Sequence, residues 1–162
     1  MKILHISAEC FPIAKVGGLA DVVGALPKYQ KDLGPTSSVV IPYYNNAFTQ
    51  SNTFETIHDH YISLGHEYYH FKVLKLTNHQ LGFDLFSIDI PDLLYTNFVY
   101  SNADTKRFLA FQIATLDWIL KLKVKPDIMH VHDHHTGLIP FMMSYSFKYA
   151  TLKNIPTVLT IH

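Results

Sequence analysis

Short apolar runs of strand length alternate with longer segments of helical spacing along this chain. KILHIS (2–7) is a near-continuous apolar run, the pattern of a strand covered on both faces. Leu19, Val22, Val23, Leu26 and Tyr29 then recur at helical spacing. Pro27 falls inside that helix. An interior proline costs about 3 kcal/mol, so a kink or a break is expected there. SSVVIP (37–42) reads as a second covered strand and 43–54 as a polar loop. From Phe54 to Asp89 three segments are rich in aromatic and β-branched residues, punctuated by Gly65 and TNHQLG. They predict successive antiparallel strands joined by turns. A loop at 91–104 and a helix at 105–122 follow, the helix with Phe108, Phe111, Leu116, Ile119 and Leu120 on one side. A third covered strand at 125–132, a helix at 136–150 and a last strand at 155–162 complete the pattern.

That order predicts an α/β fold: one Rossmann-like, doubly wound, mostly parallel sheet over residues 1–162, with a strand-rich insertion. Ligands of such sheets sit at the carboxyl ends of the strands. Three segments far apart in sequence should therefore gather at one edge: the loop with Lys15, the HDHH loop and His162.

The stretch KVGGLAD (15–21) stands between the first strand and the first helix. Gly17 and Gly18 let a ligand approach the backbone. The helix start offers free N–H groups and partial positive charge, and Lys15 adds a full one. No packing partner for Lys15 is evident in the sequence. The segment fits neither G-x-G-x-x-G nor the P-loop, whose lysine follows the last glycine. On spacing alone, a tight turn with a surface lysine accounts for it at least as well.

HVHDHH (130–135) places four histidines and Asp133 within six residues. It differs by one residue from the H-x-H-x-D-H of binuclear metallohydrolases, with His134 in the aspartate position. Alternation sends His130 and His132 to the same face of a strand. Metal sites need ligands that converge with supporting hydrogen bonds, and among eleven histidines some clustering arises by chance. Two histidines packed on the sheet is the favoured reading. Tyr95 either stacks on a sugar or covers the sheet edge, and His162 alone carries no signal.

Composition narrows the classes. Hydrophobic residues make up 48% and charged residues 16%, a globular balance. Lys+Arg and Asp+Glu are 13 each, which argues against a general nucleic-acid binder. The single cysteine, Cys10, excludes an intrachain disulfide framework and suits a reducing cytoplasm. No apolar run approaches the length of a membrane span, and MKILHISAEC lacks the pattern of a signal peptide. A cytoplasmic protein with no membrane or nucleic-acid partner is expected.

Four segments in order carry a resemblance. MKILHISAECFPIAKVGGLADVVGALPKY, VVIPYY, DIMHVHDHHTGLIP and PTVLTIH resemble the opening, the second strand, the H-x-H-D-W-H-[TA]-G loop and the T-[IV]-H-N of bacterial glycogen synthases and plant starch synthases. The likeness covers essentially the whole chain and is weakest through the 50s to 80s. It implies the amino-terminal half of a GT-B glycosyltransferase that moves glucose from ADP-glucose to the non-reducing end of an α-1,4-glucan, retaining configuration, without a cofactor or metal. Position by position, it implies that Lys15 contacts the donor phosphates and that Gly17 and Gly18 form the loop beside the donor. It further implies that Asp21 lies near the transferred glucose, that Asp133 is the aspartate of the family's H-D-W-H, that His162 lines the glucosyl pocket and that Tyr95 lies in the cleft, with Asp21, Asp133 and His162 as catalytic residues and Lys15, Gly17, Gly18 and Tyr95 as substrate-binding ones. His134 stands where the family has tryptophan, LGPTSSV replaces L-G-H-[DE]-V-R-V, and SNADTKRF lacks the usual D-N before the arginine. Family members run to well over twice this length, so a C-terminal nucleotide-binding domain with an essential glutamate is expected to be missing from this chain. The alternative is a stand-alone or vestigial glucan- or nucleotide-binding module. A metallohydrolase using His130, His132 and His135 comes third.

Overall fold

The computed structural model describes all residues, 1–162. The elements in order are β1 (Lys2–Ile6), α1 (Gly18–Asp32), β2 (Thr36–Pro42), α2 (Ala47–Ser51), β3 (Phe54–Leu64), β4 (Glu67–Leu76) and β5 (Asp84–Asp89). Then come α3 (Asp104–Lys121), β6 (Ile128–His132), α4 (Leu138–Tyr145), a 3₁₀ turn (Phe147–Leu152) and β7 (Thr157–Thr160). One seven-stranded sheet has the order β3-β4-β5-β2-β1-β6-β7. β5, β2, β1, β6 and β7 run parallel, and β3 and β4 are antiparallel to their neighbours.

The doubly wound reading holds, and four local expectations change. β5 is not part of the antiparallel insertion's edge but pairs in parallel with β2. Only the β3–β4 hairpin is added on. The polar stretch after β2 contains α2, because Asn46 and Thr49 form a reciprocal capping box at its start. α1 is not broken at Pro27 but runs on to Asp32. The proline removes one helical hydrogen bond, and it is buried within the helix. The helix expected at 136–150 is two pieces, α4 and the 3₁₀ turn, divided at Ser146, which adopts an extended backbone.

Alternation along the strands divides the core. Val39 and Ile41 of β2 pack with Leu19 and Val23 of α1. Leu4, Ile6 and Val40 point the other way, into a cluster with Phe108, Phe111 and Leu116 of α3 and Ile139 of α4. α1 lies so close to the loop after β1 that a Cβ on Gly24 would sit 2.4 Å from the Phe11 carbonyl oxygen. That contact requires glycine and fixes α1 against the Lys15 loop. At the β7 edge Val158, Leu159 and Ile161 are exposed, as are Phe141 and Tyr145 of α4. No helix is long and apolar enough to cross a membrane.

Candidate functional site

The parallel strands end together at Ile6, Pro42, Asp89, His132 and Thr160. The loops leaving that edge hold Lys15, Gly17, Tyr95, Asp133 and His162; Gly18 and Asp21 lie in the first turn of α1, and His130 and His132 lie in β6 itself.

Lys15 is not a free cation. Its ammonium lies 2.7 Å from both carboxylate oxygens of Asp21, with both side chains about half exposed. α1 begins at Gly18, and no side chain caps its Gly17 N-cap. A Cβ on Gly17 or Gly18 would meet nothing within 4 Å, and Gly17 has an ordinary extended backbone. The fold of this chain therefore requires neither glycine. They leave open space beside an ammonium and an uncapped helix start.

Part of the loop's donor capacity is already used. Glu9 is buried. Its Oε2 accepts the N–H groups of Val16 (2.6 Å) and Gly17 (3.0 Å). Its Oε1 accepts the Tyr100 hydroxyl. The Gly17 amide therefore holds the protein's own carboxylate, and the first turn of α1 is what remains for an anion. Tyr100 in turn stacks on His135, with ring centroids 4.7 Å apart. Burial and the Glu9 carboxylate push the Tyr100 hydroxyl far above its usual pKa.

Tyr95 stacks on Tyr43 (5.6 Å, planes 9° apart), and Tyr43 meets the edge of Phe54. It covers the sheet edge, the second of its two expected roles, and its outer part stays exposed. Asp133 turns the chain out of β6 in the left-handed region, φ 59°, where aspartate is tolerated. Its N–H donates to Thr160 O (2.8 Å), and its Oδ1 accepts the His162 N–H (2.7 Å). Asp133, His134, Leu159, Ile161 and His162 line a recess of about 400 Å³. A second recess, about 530 Å³, opens where Lys15 and Val16 face Asn97 and Tyr100. The largest cavity, about 590 Å³, lies at the opposite edge, by Lys2, Thr36 and Asp84 at the strand starts.

The histidines stack on the sheet. His130 and His132 share a face, centroids 4.2 Å apart, and His5 of β1 joins them. Nitrogens of these three lie within 4.8 Å of one another. They do not form a converging ligand set: both ring nitrogens of His5 and of His132 are in hydrogen bonds, and His130 Nε2 is 2.8 Å from Thr160 Oγ1. His134 is exposed and His135 packs on Tyr100, away from this stack.

Burial is the main reason these rings resist protonation. It lowers His5 to about 4 against a favourable hydrogen bond to Gln30, and lowers His132 to about 2 with help from His130, His5 and His162. The unfolded chain takes up these protons near 6.5 and the folded chain only far below. Stability is therefore full above pH 6.5 and falls as the pH drops below it. The two groups together should cost about 2 kcal/mol between pH 6.5 and 5.5. Thermal melts across that range measure the slope, and His132→Phe should remove about half of it. A melting temperature flat in pH would refute the burial argument.

Sequence reading missed Glu9, His5, Gln30 and Tyr100. Glu9 registered only as the end of an apolar run and His5 as one polar residue inside it. An imidazole inside a strand buried on both faces was the available signal for His5, since such a group needs partners; Glu9, Gln30 and Tyr100 lie outside the strands and offered no comparable one.

Comparison with known proteins adds three findings. A family model described as the starch synthase catalytic domain matches residues 2–162. The chain is 52% identical over 163 residues to a glycogen synthase of Flavobacterium johnsoniae and 37% identical over 165 residues to one of Streptococcus agalactiae, each match covering 100% of this chain and 34% of the relative. It superposes on the catalytic domain of starch synthase IV from Arabidopsis thaliana bound to ADP and acarbose with a TM-score of 0.87 and 26% identity, over 99% of this chain and 33% of that one. The chain spans about a third of the length of the curated relatives it matches.

Proposed function

The chain belongs to the starch synthase catalytic-domain family, and from that membership we propose that it is the amino-terminal, Rossmann-like part of an ADP-glucose-dependent glycogen or starch synthase. In this reading residues 1–162 form one wall of a cleft. A nucleotide-binding domain further along the complete protein forms the other, and the acceptor is an α-1,4-glucan. The exposed apolar residues of β7 and α4 support further polypeptide packing there. A cytoplasmic location goes with the reading. The one cysteine agrees with it: it is buried, its thiol pushed up to about 12 by desolvation, and therefore unreactive.

One observation carries the proposal. An uncapped helix start with Lys15 beside it and the Asp133–His162 pair lie on loops at the same sheet edge. Transfer from a nucleoside diphosphate sugar breaks the bond from the anomeric carbon to phosphate oxygen, and negative charge grows on the departing diphosphate. An ammonium and the first-turn N–H groups of α1 stabilise that charge. Asp21 holds the ammonium in place. Asp133 and His162 orient the sugar and so set the reacting carbon in position.

The test is transfer of labelled glucose from ADP-glucose to glycogen. A polypeptide that continues this chain with the second domain should catalyse it. The 162-residue chain should unfold cooperatively on heating but show no turnover. An inactive complete protein would sink the proposal, and turnover by the isolated chain would misplace the site.

The glycine loop gives a sharper check. Gly18→Ala should leave the melting temperature unchanged or raise it, since alanine restricts the unfolded chain by about 0.4–1 kcal/mol and meets no atom in the folded one. The same methyl stands in the space assigned to the donor, so the ADP-glucose KM should rise severalfold. An unchanged KM would leave that space without a ligand.

A further inference from the structure

His5, His132 and His162 come from β1, β6 and the end of the chain, yet they form one line of hydrogen bonds. It starts at Gln30 of α1, whose Oε1 accepts the Ser37 hydroxyl (2.6 Å) and lies 2.8 Å from His5 Nε2. His5 Nδ1 is 3.2 Å from His132 Nε2, and His132 Nδ1 is 3.2 Å from His162 Nε2. Successive rings are nearly parallel, 22° and 21° apart. His5 and His132 are fully buried, so water cannot substitute for a missing partner.

A neutral imidazole has one N–H and one bare nitrogen, so a partner on one side dictates the other. The carbonyl oxygen of Gln30 only accepts. His5 must then carry its proton on Nε2, leaving Nδ1 bare. His132 answers with a proton on Nε2 and a bare Nδ1. That nitrogen accepts from His162 Nε2, and the last bare nitrogen is His162 Nδ1. We propose that Gln30, His5 and His132 are positioning residues whose relay of hydrogen bonds sets the tautomer and ring orientation of His162, so that Nδ1 of His162 is presented as an acceptor for a sugar hydroxyl. The sugar in that statement rests on the function proposed above; the relay does not. The low proton affinity of the two buried rings keeps both neutral, the form in which the relay has one direction.

Imidazole nitrogen NMR of the ¹⁵N-labelled 162-residue protein at neutral pH tests the relay. A coupling between nitrogens is expected across both the His5–His132 and the His132–His162 contacts, with Nδ1 of all three rings showing the unprotonated resonance. The Nε2–H tautomer is common for a free imidazole, so the couplings and the response to Gln30 carry the decision. Gln30→Met removes the acceptor that sets the direction and should give mixed tautomers at all three rings. Gln30→Glu keeps the acceptor and should restore one direction. Absent couplings in the wild type would overturn the relay, whatever Gln30→Met does to folding. Three unchanged rings in a folded Gln30→Met would overturn the role of Gln30. In the two-domain protein, Gln30→Met should lower kcat severalfold with little change in donor KM, and Gln30→Glu should return it. Unchanged kcat in an active enzyme would overturn the positioning role. An inactive wild type would overturn the proposed function instead, and the couplings would still decide the relay.

Discussion

On the proposed function, Lys15→Gln in the complete protein should lower the efficiency of ADP-glucose use by about ten- to a hundredfold and leave thermal stability unchanged. The two halves of that expectation come from different environments of one ammonium. In this structure Lys15 pairs with Asp21 on an open surface, each side chain about half exposed. A pair of that kind contributes about 0–1 kcal/mol, so its loss hardly moves the melting temperature. Against a donor phosphate, as proposed above, the same ammonium would make a charge-assisted hydrogen bond worth about 1.5–3 kcal/mol, and each 1.4 kcal/mol is tenfold. If the bond tightens as the diphosphate leaves, kcat falls with kcat/KM; if it is equal in ground and transition states, only KM rises. Steady-state kinetics with both proteins checked for equal melting temperature separates these outcomes. Wild-type kcat and donor KM in the variant would return Lys15 to the role of a surface partner of Asp21.

That pair shows where sequence reading stops. Spacing placed Lys15 before a helix start and Asp21 in its first turn, which suffices to locate both at the sheet edge. It does not say that the carboxylate lies against the ammonium, because that depends on how the loop bends over α1. The bend is set by Glu9, a residue the hydrophobic pattern treats as an interruption. Gly24 belongs to the same class: nothing in its spacing marks it, and its reason, a backbone oxygen 2.4 Å from where a Cβ would be, exists only in three dimensions. The parallel core was legible, since continuous apolar runs alternating with helical spacing leave few arrangements. β5 was misread because its neighbour in sequence, β4, is antiparallel while its other neighbour in space, β2, is parallel. His130 and His132 were correctly placed on one face by alternation. The third member of their stack, His5, lies more than a hundred residues away in sequence and enters only through the register that pairs His5 with His130.

Arg107→Met should cost about 3–5 kcal/mol of stability, which for a domain of this size lowers the melting temperature by roughly 10 °C. The guanidinium is almost fully buried. Its Nε donates to Leu93 O (3.0 Å), Nη1 to Val99 O (3.1 Å) and to Asp104 Oδ1 (2.6 Å), and Nη2 to Thr96 Oγ1 (3.0 Å). One fork thus pins the loop between β5 and α3 at three points and ties them to Asp104 at the start of α3, and the rings of Phe98 and Phe108 flank it. Methionine fills the apolar volume and leaves two carbonyl oxygens and a carboxylate without this donor. Asp104 keeps its bonds from Ser101, so the main loss is at the carbonyls. Lysine should not rescue, because a single ammonium lacks the geometry to reach all four acceptors. The same loop carries Tyr95 and Tyr100, and the Tyr100 hydroxyl holds Glu9, which holds the Val16 and Gly17 amides. Loosening Arg107 should therefore reach the Lys15 loop through contacts already named. Hydrogen exchange should rise in 91–104 and also at Val16 and Gly17 in the folded variant, with the strands β1 and β6 unaffected. A melting temperature within a degree or two of wild type would show that the loop is held by its apolar contacts. Faster exchange in 91–104 without any change at Val16 and Gly17 would cut the link between that loop and the candidate phosphate site.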